Sequence, residues 1–190
     1  MGINLSDFII LVGPRGSGKT TLGHALARAI DSPFYDTDRM VEEMTGESIS
    51  QIWERGGEEL FRDKESLVLQ SMRGFSKGVV STGGGIVLKS ENRKLLSGLG
   101  PVFYLHVHVA NLIGRLSSSF DKRPRLLKDL SLPEEVQRIV SERDPLYRSI
   151  ATRVIEIESN SIAGTVEDIV SALKSLEPPI GEFPGDTKGK

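Results

Sequence analysis

Residues 13–20 read GPRGSGKT, directly behind the apolar run Phe8-Ile9-Ile10-Leu11-Val12. No other stretch restricts the fold as strongly. Its spacing is G-x-x-x-x-G-K-[ST], with Gly13, Gly18, Lys19 and Thr20 at the fixed positions. Glycines let successive backbone N–H groups turn inward around an anion, the lysine reaches terminal phosphates, and the hydroxyl can ligate Mg2+. The plain alternative is a glycine turn joining any strand to any helix. Context favours phosphate: the five apolar residues read as a buried strand, and behind the loop Leu22, Leu26 and Ile30 recur at helical spacing. A nucleotide-binding phosphate loop between a strand and a helix is the reading that follows.

Short apolar runs alternate with longer helical patterns along the rest of the chain. Strands are expected at Phe8 to Val12, Pro33 to Tyr35, Gly78 to Ser81, Val102 to Val107 and Val154 to Ile157. Helices are expected at Gly18 to Ile30, Arg39 to Met44, Ser48 to Arg55, Glu58 to Gly74, Ser90 to Leu96, Ala110 to Ser117, Pro133 to Ser149 and Thr165 to Leu176. Such alternation predicts a parallel sheet with helices on both faces. Ser131, followed by Glu134 and Glu135, marks a helix start. The polar, basic stretch from Ser117 to Arg125 reads either as a lid that would exclude water and add cations on closing, or as a surface loop.

Composition excludes several classes. A chain of 190 residues with 38% hydrophobic and 26% charged residues is expected to form one domain, over residues 1–177, followed by a disordered, Pro- and Gly-rich tail at 178–190. A net charge of -2 without a basic face argues against nucleic acid, and the absence of cysteine removes disulfides and thiolate metal sites. The apolar run of five residues near the N-terminus is too short for a signal peptide or a membrane span, so cytoplasmic localisation is the expectation.

Three further constellations bear on chemistry. Asp36-Thr37-Asp38 follows the second strand, where ligands gather in open parallel sheets. Two neighbouring carboxylates suit a site with Mg2+ and a hydroxyl acceptor, although Asp38 also fits as a mere helix cap. Gly83-Gly84-Gly85 after the third strand lets a ligand approach the backbone, or simply turns the chain. Arg62 and Arg148 could grip a carboxylate with planar forks if they converge, while Arg62 has Glu58, Glu59 and Glu65 as partners on its own helix. His106 and His108 share a strand face but lack a third ligand, so ordinary strand histidines are expected rather than a metal pair.

These motifs, in this order, resemble the shikimate kinases over about Phe8 to Val170: the phosphate loop, Asp36-Thr37-Asp38, Gly57-Glu58 with Phe61-Arg62, Gly83-Gly84-Gly85, Arg123-Pro124 and Pro145-Leu146-Tyr147-Arg148. The resemblance implies a three-layer α/β P-loop kinase fold, with five parallel strands in the order 2-3-1-4-5, a lid at about 117–130 and a shikimate-binding segment at about 36–64. It implies Mg2+-dependent transfer of the ATP γ-phosphoryl group to the 3-hydroxyl of shikimate, a step toward chorismate and the aromatic amino acids. It further implies that Gly13, Arg15, Gly16, Ser17, Gly18, Lys19, Thr20, Thr21, Arg115 and Arg123 hold ATP, with Lys19, Asp38 and Arg123 catalytic. Asp38, Arg62, Gly83, Gly84, Gly85 and Arg148 would bind shikimate; Thr20 would ligate Mg2+ directly, and Asp36 and Ser81 through water. No protein partner is implied, and a monomer is expected. The segment Ser159 to Ala163 departs from the pattern, lacking the Asn-Pro or Arg-Pro pair that many relatives carry near adenine.

Two rival readings have sequence marks. A kinase of another hydroxy acid such as gluconate would share the phosphate loop but would have no use for Asp36-Thr37-Asp38 together with the two arginines. A silent regulatory module would have lost Lys19, Asp38 or Arg123, and all three are present.

Overall fold

The structure, a computed structural model, describes residues 7–118, 129–157 and 161–176. Arg123, most of the expected lid, part of the 159–163 segment and the whole 178–190 tail lie outside the described residues.

Five strands, β1 (Ile9–Val12), β2 (Phe34–Asp36), β3 (Val79–Ser81), β4 (Val102–His106) and β5 (Arg153–Glu156), form one parallel sheet in the order β2-β3-β1-β4-β5. This is the order that the resemblance implied. Helices α1 (Lys19–Ala29), α2 (Thr37–Thr45), α3 (Ile49–Ser71), α4 (Ser90–Leu99), α5 (Val109–Ser118), α6 (Leu132–Ile150) and α7 (Ile162–Leu176) complete the described elements, with a short 3-10 turn at Met72–Gly74.

The sequence of β1 explains the layering. A strand sends alternate side chains to opposite faces, so an unbroken apolar run must be covered on both. Ile9 and Leu11 pack with Leu22 and Leu26 of α1 and Ile169 and Leu173 of α7. Phe8, Ile10 and Val12 pack on the other face with Leu69, Leu96 and Tyr147 from α3, α4 and α6. Leu26 is completely buried, a burial that contributes roughly 1.5–3 kcal/mol. Among the described residues no helix is long and apolar enough to cross a membrane.

Most elements fall within a few residues of the sequence expectation, with one change of connectivity. The helices expected at Ser48 to Arg55 and Glu58 to Gly74 run together as α3, separated only by Gly57, whose φ of 67° and ψ of -162° break the helical path. Ser48 and Gln51 form a capping box at its start, and Ser131 and Glu134 do the same for α6. The second half of α3 is thereby redirected and carries Phe61, Arg62 and Glu65 inward.

Candidate active site

Strand register brings the polar residues together. Asp36 at the end of β2 pairs with Ser81 at the end of β3, and Ser81 pairs with Leu11 of β1. Two residues beyond Leu11 the phosphate loop begins, so the acid, the hydroxyl and the loop share the carboxyl edge of the sheet.

The loop has the shape its glycines permit. Gly16 and Gly18 take left-handed backbone, with φ of 81° and 91°, and α1 starts immediately after Gly18. Lys19 folds back across the loop, donating to the carbonyls of Gly13 at 2.9 Å and Pro14 at 2.8 Å and to Ser17 Oγ at 3.3 Å. Arg115 of α5 reaches over and donates to the Gly16 carbonyl at 3.1 Å. Arg15, Gly16, Gly18, Lys19, Thr20 and Thr21 line a cleft together with Asp38, Thr82 and Gly84.

The Asp36-Thr37-Asp38 triplet divides its work among three directions. Asp36, rather than Asp38, is the N-cap of α2: its Oδ1 accepts from the backbone N–H of Asp38 at 3.1 Å and of Arg39 at 3.4 Å. Its other oxygen, Oδ2, accepts from Thr20 Oγ1 at 2.9 Å, and Thr20 Oγ1 lies 3.4 Å from Ser81 Oγ. The buried Thr37 hydroxyl accepts the Gly83 N–H at 3.0 Å. Asp38 is thus released from capping and stands in the cleft wall.

The glycine turn is tightly enclosed by charged side chains. A Cβ at Gly83 would lie 2.4 Å from Glu65 Oε1 and 2.7 Å from Asp38 Oδ1, and one at Gly85 would lie 2.2 Å from the Arg62 guanidinium. Side chains at 83 and 85 are therefore excluded by groups that the site keeps.

Arg62 is buried on the inner face of α3, where Nη1 donates to Glu65 Oε2 at 2.5 Å and Nε and Nη2 donate to Glu58 Oε1 at 3.1 and 2.9 Å. Burial opposes the Arg62 charge, but Glu65 and Glu58 outweigh it and hold the guanidinium above its ordinary range. Glu65 is fully buried. Burial pushes its carboxyl up from 4.5 to about 7 against the pull of Arg62, and Asp38 adds to the rise.

Arg148 does not join Arg62, contrary to the sequence expectation. It is exposed, donates to Asp144 Oδ2 at 2.7 Å along its own helix, and lies over the Tyr104 ring. Arg143 occupies the expected place: it is buried and donates from Nη1 to the Gly84 carbonyl at 3.3 Å, while its Nε has no hydrogen-bond partner among the described residues. The cause is helical phase, because Val136, Arg143 and Tyr147 form the buried stripe of α6 and a residue five positions beyond Arg143 points elsewhere. That stripe, with Val140, is the signal in the sequence that separates the two arginines.

His106 bonds Glu156 at 2.5 Å through Nδ1, and among the described residues no group of three potential ligands could hold a metal through His, Cys, Asp or Glu alone. The oxygens of Thr20, Asp36 and Ser81 meet at one point beside the phosphate loop, a hard-donor set that suits Mg2+ coordinated partly through water.

Comparison with known proteins gives a consistent picture. A family model described as shikimate kinase matches residues 15–174. A shikimate kinase of Pseudomonas fluorescens is 39% identical over 170 residues, covering 90% of this chain and 98% of that protein. The solved shikimate kinase from Acinetobacter baumannii in complex with shikimate superposes with a TM-score of 0.82 at 34% identity, covering 89% of this chain and 93% of that one. The shikimate kinase from Bacteroides thetaiotaomicron gives 0.79 at 29% identity, over 88% and 98% of the two chains.

Proposed function

The chain belongs to the shikimate kinase family, and we propose that its cleft transfers the γ-phosphoryl group of ATP to the 3-hydroxyl of shikimate. The observation that carries this reading is the juxtaposition of Lys19 and Asp38 across one cleft, with the buried Arg62 and Arg143 flanking the glycine turn beside it. Phosphate on one side and a carboxylate-bearing polyol on the other is the pair of ligands that such walls complement.

In this reading ATP phosphates enter the loop and Lys19 exchanges the carbonyls of Gly13 and Pro14 for phosphate oxygens. The backbone N–H groups of the loop and the start of α1 supply further positive potential. Thr20, with Asp36 and Ser81 through water, would hold Mg2+, which would supply charge neutralisation on the phosphates. Arg62 and Arg143 grip the acceptor's carboxylate with planar forks, and Glu65 fixes the Arg62 fork. Asp38 accepts the proton of the attacking hydroxyl and orients it toward the γ-phosphorus. Arg123 adds a cation as charge redistributes. Gluconate kinase activity is the weaker reading: gluconate offers the arginines the same carboxylate, but the family match is to shikimate kinases.

The test titrates Mg2+ against Asp36→Asn and Asp38→Asn in a coupled assay at saturating ATP, following shikimate-dependent ADP release. Asp38→Asn is expected to lose about 10²–10⁴-fold in kcat at every Mg2+ concentration, and Asp36→Asn to recover partly at high Mg2+. Turnover of gluconate but not shikimate by the parent protein would overturn the acceptor assignment, and full activity of Asp38→Asn would remove its role.

A further inference from the structure

Tyr147 lies in the buried stripe of α6, 1% exposed, with its ring stacked on Tyr104 at a centroid distance of 4.9 Å. Its hydroxyl donates to the Gly84 carbonyl, the same oxygen that receives Arg143. Burial pushes the phenol up to about 12, so it remains a protonated donor throughout the neutral range. On its other side Gly84 meets the phosphate loop: a Cβ there would lie 3.2 Å from the Arg15 nitrogen and 3.4 Å from the Gly13 carbonyl oxygen. The turn is thus clamped between a phenol and the loop.

A trans peptide points its C=O and the following N–H in opposite senses. Whatever fixes Gly84 O therefore fixes the direction of the Gly85 N–H, which among the described residues donates to no backbone acceptor. Gly85 is also the residue against which the Arg62 guanidinium packs. The Tyr147 hydroxyl, with Arg143 on the same oxygen, therefore holds a peptide at the junction of Arg62 and the phosphate loop.

We propose that Tyr147 is a positioning residue for the acceptor: its hydroxyl holds the Gly84 carbonyl and so presents the Gly84–Gly85 peptide, with Arg62 behind it, to the incoming substrate. The inference rests on the acceptor pocket proposed above. Tyr147 is not among the residues lining the cleft between the phosphate loop and Asp38, so its effect falls on acceptor binding and alignment.

Tyr147→Phe keeps the ring and its stack on Tyr104 and deletes the hydroxyl's bond to the Gly84 carbonyl together with its contact to Arg143. Its expected effect is a rise in KM for shikimate of about fivefold to tenfold, with KM for ATP within twofold of the parent. A purely structural role would lower the melting temperature and the active fraction while leaving both KM values unchanged, and that result overturns the proposal. Tyr104→Phe is the companion variant, since its hydroxyl turns away to Asp144 Oδ1 at 2.8 Å. It is expected to lose stability with KM for shikimate within twofold; an equal rise in both variants would indicate general loosening of α6 and sink the specific role of Tyr147. Arg62→Lys, run alongside, separates the layers of argument. If it weakens shikimate while Tyr147→Phe does not, only the Tyr147 inference fails; if it too leaves shikimate unchanged, the pocket is misplaced and both fall.

Discussion

The phosphate half of the cleft and the acceptor half are built on different principles. Gly13 to Thr21 are consecutive, and they act largely through backbone groups at the junction of β1 and α1. The acceptor half draws Asp38 from α2, Arg62 and Glu65 from α3, the turn after β3, and Arg143 and Tyr147 from α6. A contiguous loop needs only local geometry to be correct, whereas the acceptor walls need four elements packed in register. In the proposed reading, the contrast means that affinity for phosphate and choice of acceptor are carried by separable parts of one cleft.

The largest way to challenge that separation is Lys19→Ala. Removing the loop's charged donor should lower kcat by about 10²–10³-fold, measured with both substrates saturating, while binding of shikimate in a fluorescence titration changes little. A comparable loss of shikimate binding would merge the two halves. A second, smaller effect compares Arg143→Ala with Arg148→Ala. Truncating the buried arginine, which leaves the acceptor carboxylate and Glu65 short of a charge partner, should raise KM for shikimate by about 30-fold or more. Truncating the exposed one should stay within twofold. The reverse ranking would mean that α6 presents a different face to the substrate.

The smallest effect concerns pH. Glu65 titrates near 7 in the folded protein because burial penalises its charge, against 4.5 in its ordinary state. Between those values the native state holds a proton that the unfolded chain has lost, so this carboxyl's contribution to stability is complete below about 4.5 and disappears as pH rises toward 7. Gln at 65 does not titrate. The melting temperature of Glu65→Gln relative to the parent should therefore climb by several degrees across that window and level off above it. A difference that stays flat with pH would show that Glu65 titrates as an exposed carboxylate, and the acceptor half would then be wetter than described.

Legibility in the sequence follows the same division. The phosphate loop can be read directly because its chemistry is written in eight adjacent residues, and β1 can be read because a strand covered on both faces must be apolar throughout. Asp38, Arg62 and the three glycines are visible by type and order. Arg143 is not, since Arg143 and Arg148 are equally plausible until the phase of α6 is fixed by Val136 and Tyr147 packing inward. The tasks of Asp36 and Asp38 are similarly hidden: which acid caps depends on whether α2 begins at Thr37 or two residues later, a shift that local propensity does not decide. Glu65 reads as an ordinary helix partner of Arg62, and only the tertiary fold reveals that it is sealed from water beside Asp38.

In the proposed reading, Asp36 places folding and turnover under one lock. One of its oxygens starts α2 and the other receives the Thr20 hydroxyl, so any replacement is filtered twice. Asn or Ser preserves a cap and forfeits the charge, and Glu preserves the charge on a longer arm that fits neither bond. Neighbouring Arg39, exposed and paired with Glu43 along its own helix, carries no such double duty and should tolerate replacement far better than position 36.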